Sequence, residues 1–245
     1  MILALLHLCD SLFPIGGFAY SDGLETATTV RMKPDTTEST AEGKPDATDG
    51  RPAISDIRDL REWVDACLDE SIGRMEGPAV WQAWAAVGDS DWQALESLDG
   101  ELTALRPSSS ARRSTRAMGS RLLTTWQALH PDPRLAELVT RARGGRLAPV
   151  LPIAFAAVCA CAGVDRRGAV DSFAYTRLAA TISAAMRLMP LGQSDAHAVL
   201  ARTLDRVPAV VDRIIERDAR VESFSPALDI AAMTQQYLHS RLFRS

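Results

Sequence analysis

Four histidines, four cysteines, two lysines and a short Arg-framed apolar tail are where this 245-residue chain could do chemistry. The lysines, Lys33 and Lys44, share one polar stretch. Neither has the Gly-x-x-x-x-Gly-Lys-Ser/Thr setting that cradles phosphates, nor the apolar pocket that makes a lysine a base or a Schiff-base amine. The chain has no Gly-x-Ser-x-Gly elbow and no His-Glu-x-x-His pair. Cys159 and Cys161 lie two apart in an apolar run that reads as helix, which turns their side chains about 200° apart and keeps them off a common metal. His7, His130, His197 and His239 contain no helical ligand pair. The expectation is a protein with no catalytic residues, no permanent metal site and no cofactor.

What remains is chemistry of contact. The ending Arg241-Leu242-Phe243-Arg244-Ser245 sets two apolar anchors among guanidinium groups. It reads either as a segment presented to a partner, where apolar burial and bidentate Arg–carboxylate pairs contribute to docking, or as a last turn folded back on its own core. A second feature is Pro14-Ile15-Gly16-Gly17 followed by Tyr20-Ser21-Asp22-Gly23-Leu24-Glu25, a tight turn leading into a helix. A third is Arg187, isolated in the apolar Ser183–Met189 stretch and expected to find a carboxylate, with Glu25 as one conceivable partner. Arg112, Arg113, Arg116 and Arg121 form a basic run that reads as a solvated helix face or as a docking surface for an acidic partner.

The elements that must position these residues read as helices throughout. Ile57, Leu60, Val64, Cys67, Leu68 and Ile72 recur at spacings of three and four, and Pro78 stands where a new helix can begin. Further helices are expected over 91–105, 108–129 and 134–143. Residues 149–163 and 168–189 are rich enough in Ala, Leu, Ile and Val to lie at a bundle centre, and Pro190, Pro208 and Pro226 divide the remainder. No stretch sustains period-two alternation. The predicted fold is all-α, a single-domain helical bundle of roughly ten helices over 1–245. It carries a flexible polar insertion at 33–53, where nothing larger than Ala is available to bury, and a docking tail at 241–245.

Three separated stretches, LLHLCDSLFPIGGFAYSDGLE, SAAMRLMPLGQSDAHAVL and RLFRS, resemble in that order the signature regions of the urease accessory protein UreF family. The resemblance implies an all-helical, homodimeric and non-catalytic maturation factor for nickel insertion. Such a factor bridges the accessory GTPase UreG and UreD, also called UreH, on the urease apoprotein and modulates GTP hydrolysis by UreG. It further implies that Tyr20, Ser21, Glu25, Arg187, Gln193, Asp195, Arg241, Leu242, Phe243 and Arg244 serve partner binding, and that Pro14, Gly16, Gly17, Gly23, Pro190 and Gly192 shape the motifs. The chain departs from the family pattern at Gln235-Gln236, where a His-Glu pair is usual, at Ala180, where Asn is usual, and near Ala148, where His is usual. A helical protein-binding scaffold unrelated to urease is the alternative reading.

A net charge of −4 argues against a general nucleic-acid binder. The apolar start lacks a basic leader and is interrupted by Asp10, and no long uncharged apolar run follows. No membrane association is expected, and the chain reads as cytoplasmic.

Overall fold

The computed structural model describes residues 2–10, 13–14, 21–29, 54–238 and 242–243. The polar insertion at 33–53, together with Gly16, Gly17, Tyr20, Arg241 and Arg244, lies outside the described residues.

Helix α1 spans Ile2–Cys9 and α2 spans Leu24–Thr29. A long helical rod follows, made of α3 (Ile57–Ala66), a π-helix (Cys67–Glu76) and α4 (Gly77–Asp89). Then come α5 (Trp92–Ala104), α6 (Ser109–Leu129), α7 (Pro133–Arg143), α8 (Leu151–Cys161) and α9 (Arg166–Leu188). The chain continues with α10 (Gln193–Leu204), α11 (Val207–Glu216) and α12 (Pro226–Thr234), which ends in a 3₁₀ turn at Gln235–Tyr237. No strand occurs among the described residues, and the all-α bundle is as the sequence predicts. None of the described helices is long and apolar enough to cross a membrane.

Local signals set most boundaries. Asp56, Asp91, Ser108, Asp132 and Asp165 cap the starts of α3, α5, α6, α7 and α9 by accepting hydrogen bonds from backbone N–H groups of the first turn. Pro78 stands in the first turn of α4, as its fixed φ suits, and the rod nevertheless runs unbroken from Ile57 to Asp89. A proline inside a helix deprives the carbonyl four residues earlier of its donor. Here that carbonyl, Arg74 O, instead accepts from Glu222 N at 2.8 Å. The preceding turns widen to the π form, with Gly77 N donating to Ile72 O. Gly77 is required there, since a Cβ would approach Ile72 O and Ile214 Cδ1 to 2.7 Å each.

Helix α8 is the centre. Every residue from Leu151 to Cys159 is buried, against α4, α6, α7 and α9, and Phe155 meets Phe173 of α9 edge to face at 5.3 Å. Its entry turn is held by the buried carboxylate of Asp99, which accepts from Ala148 N and Val150 N at 2.9 Å each. On one flank an ion-pair strap joins the rod to α10 and α11. Arg206 bonds Asp65 at 2.6 Å and Asp69 at 2.5 Å, with Arg202 on Asp65 and Arg213 on Asp69. The opposite end of the bundle is closed by α2 and α12, which pack on each other, α2 also on α9 and α12 on α6.

Candidate interaction site

The three sequence stretches singled out for contact meet at this closed end. The turn before α2 passes through left-handed backbone at Asp22 (φ 48°) and Gly23 (φ 90°). At Gly23 a Cβ would come within 2.8 Å of Ala232 N, so a side chain is excluded by both conformation and space. This turn delivers Glu25 into the interior, where its carboxylate accepts from the backbone N–H of Leu242 and from that of Phe243 at 3.2 Å. Gln235, fully buried at the end of α12, completes the clasp. Its Nε2 donates to Ser21 Oγ (3.0 Å) and Glu25 Oε2 (3.2 Å), and its Oε1 accepts from Gly23 N (3.2 Å). The ring of Phe243, 2% exposed, lies under the guanidinium of Arg187 at 4.5 Å.

Several expectations are thereby resolved or revised. Of the two readings of the tail, its described part, Leu242-Phe243, is folded back, with Phe243 inward and Leu242 exposed. Arg187 is not sunk in an apolar helix as its neighbours suggest. It projects from the last turn of α9 into an exposed position and acts on the same tail residue that Glu25 holds. Gln235, read from sequence only as a departure, is a central hydrogen-bonding group of the clasp. Gln193 and Asp195 stand at the exposed start of α10, after exposed Pro190 and the capping residue Gly192, outside this hydrogen-bonded set. Pro14 is exposed beside buried Phe13. Of the basic run, Arg113 and Arg121 are exposed, while Arg112 and Arg116 are half-buried and bonded to the fold. Arg112 Nη1 donates to Arg106 O and Pro107 O, and Arg116 Nη2 to Thr103 Oγ1.

Behind the clasp runs a chain of charge, half-buried at Asp22 and Arg177 and buried at Glu76 and Arg106. Asp22 pairs with Arg177 (2.6 Å), Arg177 with Glu76 (3.2 Å), and Glu76 with Arg106 (2.5 Å). Burial alone would favour a neutral Arg177, but the facing carboxylates of Asp22 and Glu76 outweigh it and the guanidinium holds its proton more tightly than usual. This chain borders a cavity of about 90 Å³ whose lining includes Ser71, Ser114, Thr115 and Thr181, enough for a few waters. Burial pushes the thiols up, Cys9 to about 11 and Cys67 and Cys161 to about 12, with Cys159 shifted the same way, so all four stay protonated at neutral pH. Among the described residues no group of three or more His, Cys, Asp or Glu is arranged to hold a metal.

The outer surface of the same end is apolar, which sequence reading missed. Helix α12 buries Leu228, Ala231 and Gln235 on one face and exposes Ile230 (48%), Met233 (44%) and Tyr237 (76%) on the other. The three- and four-residue spacing of that outer set was available as a signal, but α12 has apolar residues on both faces and periodicity alone does not say which looks outward. Exposed Leu242 and Phe224 belong to the same C-terminal segment.

Comparison with known proteins places this architecture. The family model described as UreF matches residues 54–204. The urease accessory protein UreF of Methylibium petroleiphilum is 31% identical over 245 residues, spanning all of this chain and 94% of the relative. That of Rhodopseudomonas palustris is 31% identical over 95% of this chain and 86% of its own length. That of Lachnoclostridium phytofermentans is 28% identical over all of this chain and 98% of its own length.

Proposed function

Because the chain belongs to the UreF family of urease accessory proteins, we propose that it works in urease maturation without forming or breaking bonds itself, as a cytoplasmic homodimer that joins UreD/UreH and the GTPase UreG on the urease apoprotein, modulates GTP hydrolysis by UreG and so assists nickel insertion. The observation that carries the contact reading is the split personality of the C-terminal segment. Its inner face is clasped by Glu25 and Gln235, while Ile230, Met233, Tyr237 and Leu242 are left in water. An exposed apolar strip of this kind, backed by a buried polar lock, is what a helix looks like when its outer face awaits a partner.

The occupant assigned to this strip is UreD/UreH. The N-terminal motif acts indirectly, since Ser21 and Glu25 face inward and set the pose of the tail. Arg187 does so from outside, over Phe243. Tyr20, Arg241 and Arg244 are assigned to the same contact by family resemblance, and Gln193 and Asp195 to a second, exposed contact at the start of α10. Pull-down with UreD/UreH, UreG and apo-urease tests the reading. The double variant I230D/M233D is expected to lose UreD/UreH and to abolish activation in a reconstituted urease assay while its circular dichroism is unchanged. Full activation by that variant, or by a mixture lacking this chain, would refute the reading. A change in the GTP hydrolysis rate of UreG on adding this chain tests the regulatory part, and light scattering tests the dimer.

A further inference from the structure

We propose that Arg74, Arg217 and Arg220 form a surface site for a polyphosphate anion, such as pyrophosphate or the phosphate chain of a nucleoside di- or triphosphate. The sequence gives no hint of it, because Arg74 is far along the chain from the other two. In the fold all three are exposed and line one open cavity of about 470 Å³ between the π-helical turns, the start of α4 and the end of α11. Buried Pro78 and Ile214 give it an apolar floor, and Gly73 and Glu222 complete the lining. Its volume falls in the range of small-molecule sites, about 300–1,000 Å³.

The charge pattern sets this cavity apart. At the strap, where the same rod meets the same helix, Arg206 and Arg213 are matched by Asp65 and Asp69. Here cation faces cation. Among the described residues Arg74 and Arg217 have no ion pair, and Arg220 has only a long contact of 3.6 Å to Glu222 across two exposed side chains. Three guanidinium groups against the single carboxylate of the lining leave a net charge of +2 around one concavity. Like charges gathered in this way repel, and an anion seated between them removes the repulsion.

The backbone fixes the arrangement. The Arg74 carbonyl, deprived of its helical donor by Pro78, accepts from Glu222 N at 2.8 Å, which ties the segment after α11 to the rod at the arginine itself. Gln82 Nε2 fastens the other side of that segment by donating to Ala219 O at 2.8 Å. Between Arg217 and Arg220 both Asp218 (φ 55°) and Ala219 (φ 49°) take left-handed backbone, which residues other than glycine adopt seldom and which persists only where the surroundings enforce it. A guanidinium fork donates two parallel hydrogen bonds to one phosphate group, so a chain of phosphates suits several forks placed side by side. Pro78 and Ile214 leave apolar surface for an organic portion of the ligand. This inference stands apart from the assignment of macromolecular partners and is tested on the full chain alone.

The test is calorimetric titration of the untagged full chain with pyrophosphate and, separately, with ATP, in magnesium-free buffer of low ionic strength. A single saturable event is expected with each probe, weakened by added salt because the site is exposed. Equal affinity for the two probes assigns the site to the phosphates alone, and tighter ATP adds a contact of its organic portion with Pro78 and Ile214; both results support the proposal. Arg74→Gln and Arg217→Gln should each weaken binding by about tenfold or more, and Arg121→Gln, an exposed change on α6, should leave it unchanged. Absence of saturable binding, parental affinity in the Arg74→Gln and Arg217→Gln variants, an equal loss in Arg121→Gln, or tighter binding of citrate or a poly-glutamate peptide than of either phosphate probe would overturn the proposal.

Discussion

Two buried carboxylates, Glu25 and Glu76, are stabilised in opposite ways. Glu76 is held by two guanidinium groups, Arg106 and Arg177, which sit on a loop and a long helix that packing fixes in place. Glu25 is held by an amide and by two main-chain N–H groups belonging to the end of the chain. The first arrangement is permanent, because removing any member leaves an unpaired charge in the interior. The second is separable, because the last residues can leave and water can replace them. Glu25 therefore reads the pose of the tail's backbone, and side-chain identity enters through Phe243 and Arg187. On the proposed contact reading, presenting a terminal segment needs both, a rigid floor and a releasable clasp.

The largest effect is expected at the floor. Glu76→Ala should destabilise the protein by about 3–5 kcal/mol in urea unfolding, since it strands Arg106 and Arg177. A loss below about 1 kcal/mol would mean the two centres are not different in kind. Gln235→Ala should cost about 1–3 kcal/mol by leaving Ser21, Gly23 N and Glu25 partly unsatisfied, and it should weaken UreD/UreH capture as well. Deleting Leu242 to Ser245 should lower stability by about 1–3 kcal/mol through loss of the buried Phe243 ring, leave helicity intact and still reduce partner capture. Loss of helicity on that deletion would make the tail part of the core.

The smallest expected effect concerns pH. Asp99 is a third buried carboxylate, and burial, its largest influence, raises its pKa above the ordinary 3.8 despite the two backbone N–H groups it accepts from. A raised folded-state pKa means the native protein holds this proton more tightly than the unfolded chain does. Its contribution is thus fully present below 3.8 and is lost as pH rises through the folded value. Asp99→Asn should flatten the stability profile over that acidic window, and an unchanged slope would show that another group controls it.

Much of the fold was legible because it rests on local chemistry. The caps Asp91 and Ser108, the apolar run of α8 and the stripe from Ile57 to Ile72 each act within one or two turns. Pro78 is a local signal of the same kind and marks the start of α4, whereas the junction with the turns before it depends on a distant residue, Glu222, which supplies the donor to Arg74 O. The site was legible in its pieces but not in its geometry. Gln235 looked like a lost His, Arg187 like a buried charge, and the outward stripe of α12 went unread.

The sequence by itself determined the helices, the lack of P-loop, Ser-elbow and His-Glu-x-x-His motifs, and the three stretches that carry the family signature. These follow from periodicity, capping and residue type, which are properties of neighbours along the chain. Only the tertiary structure decided that the tail folds onto Glu25 and that Gln235 locks it. Those are meetings of residues far apart in sequence. Their energy comes from desolvation and hydrogen bonding in an interior that exists only after the helices have packed.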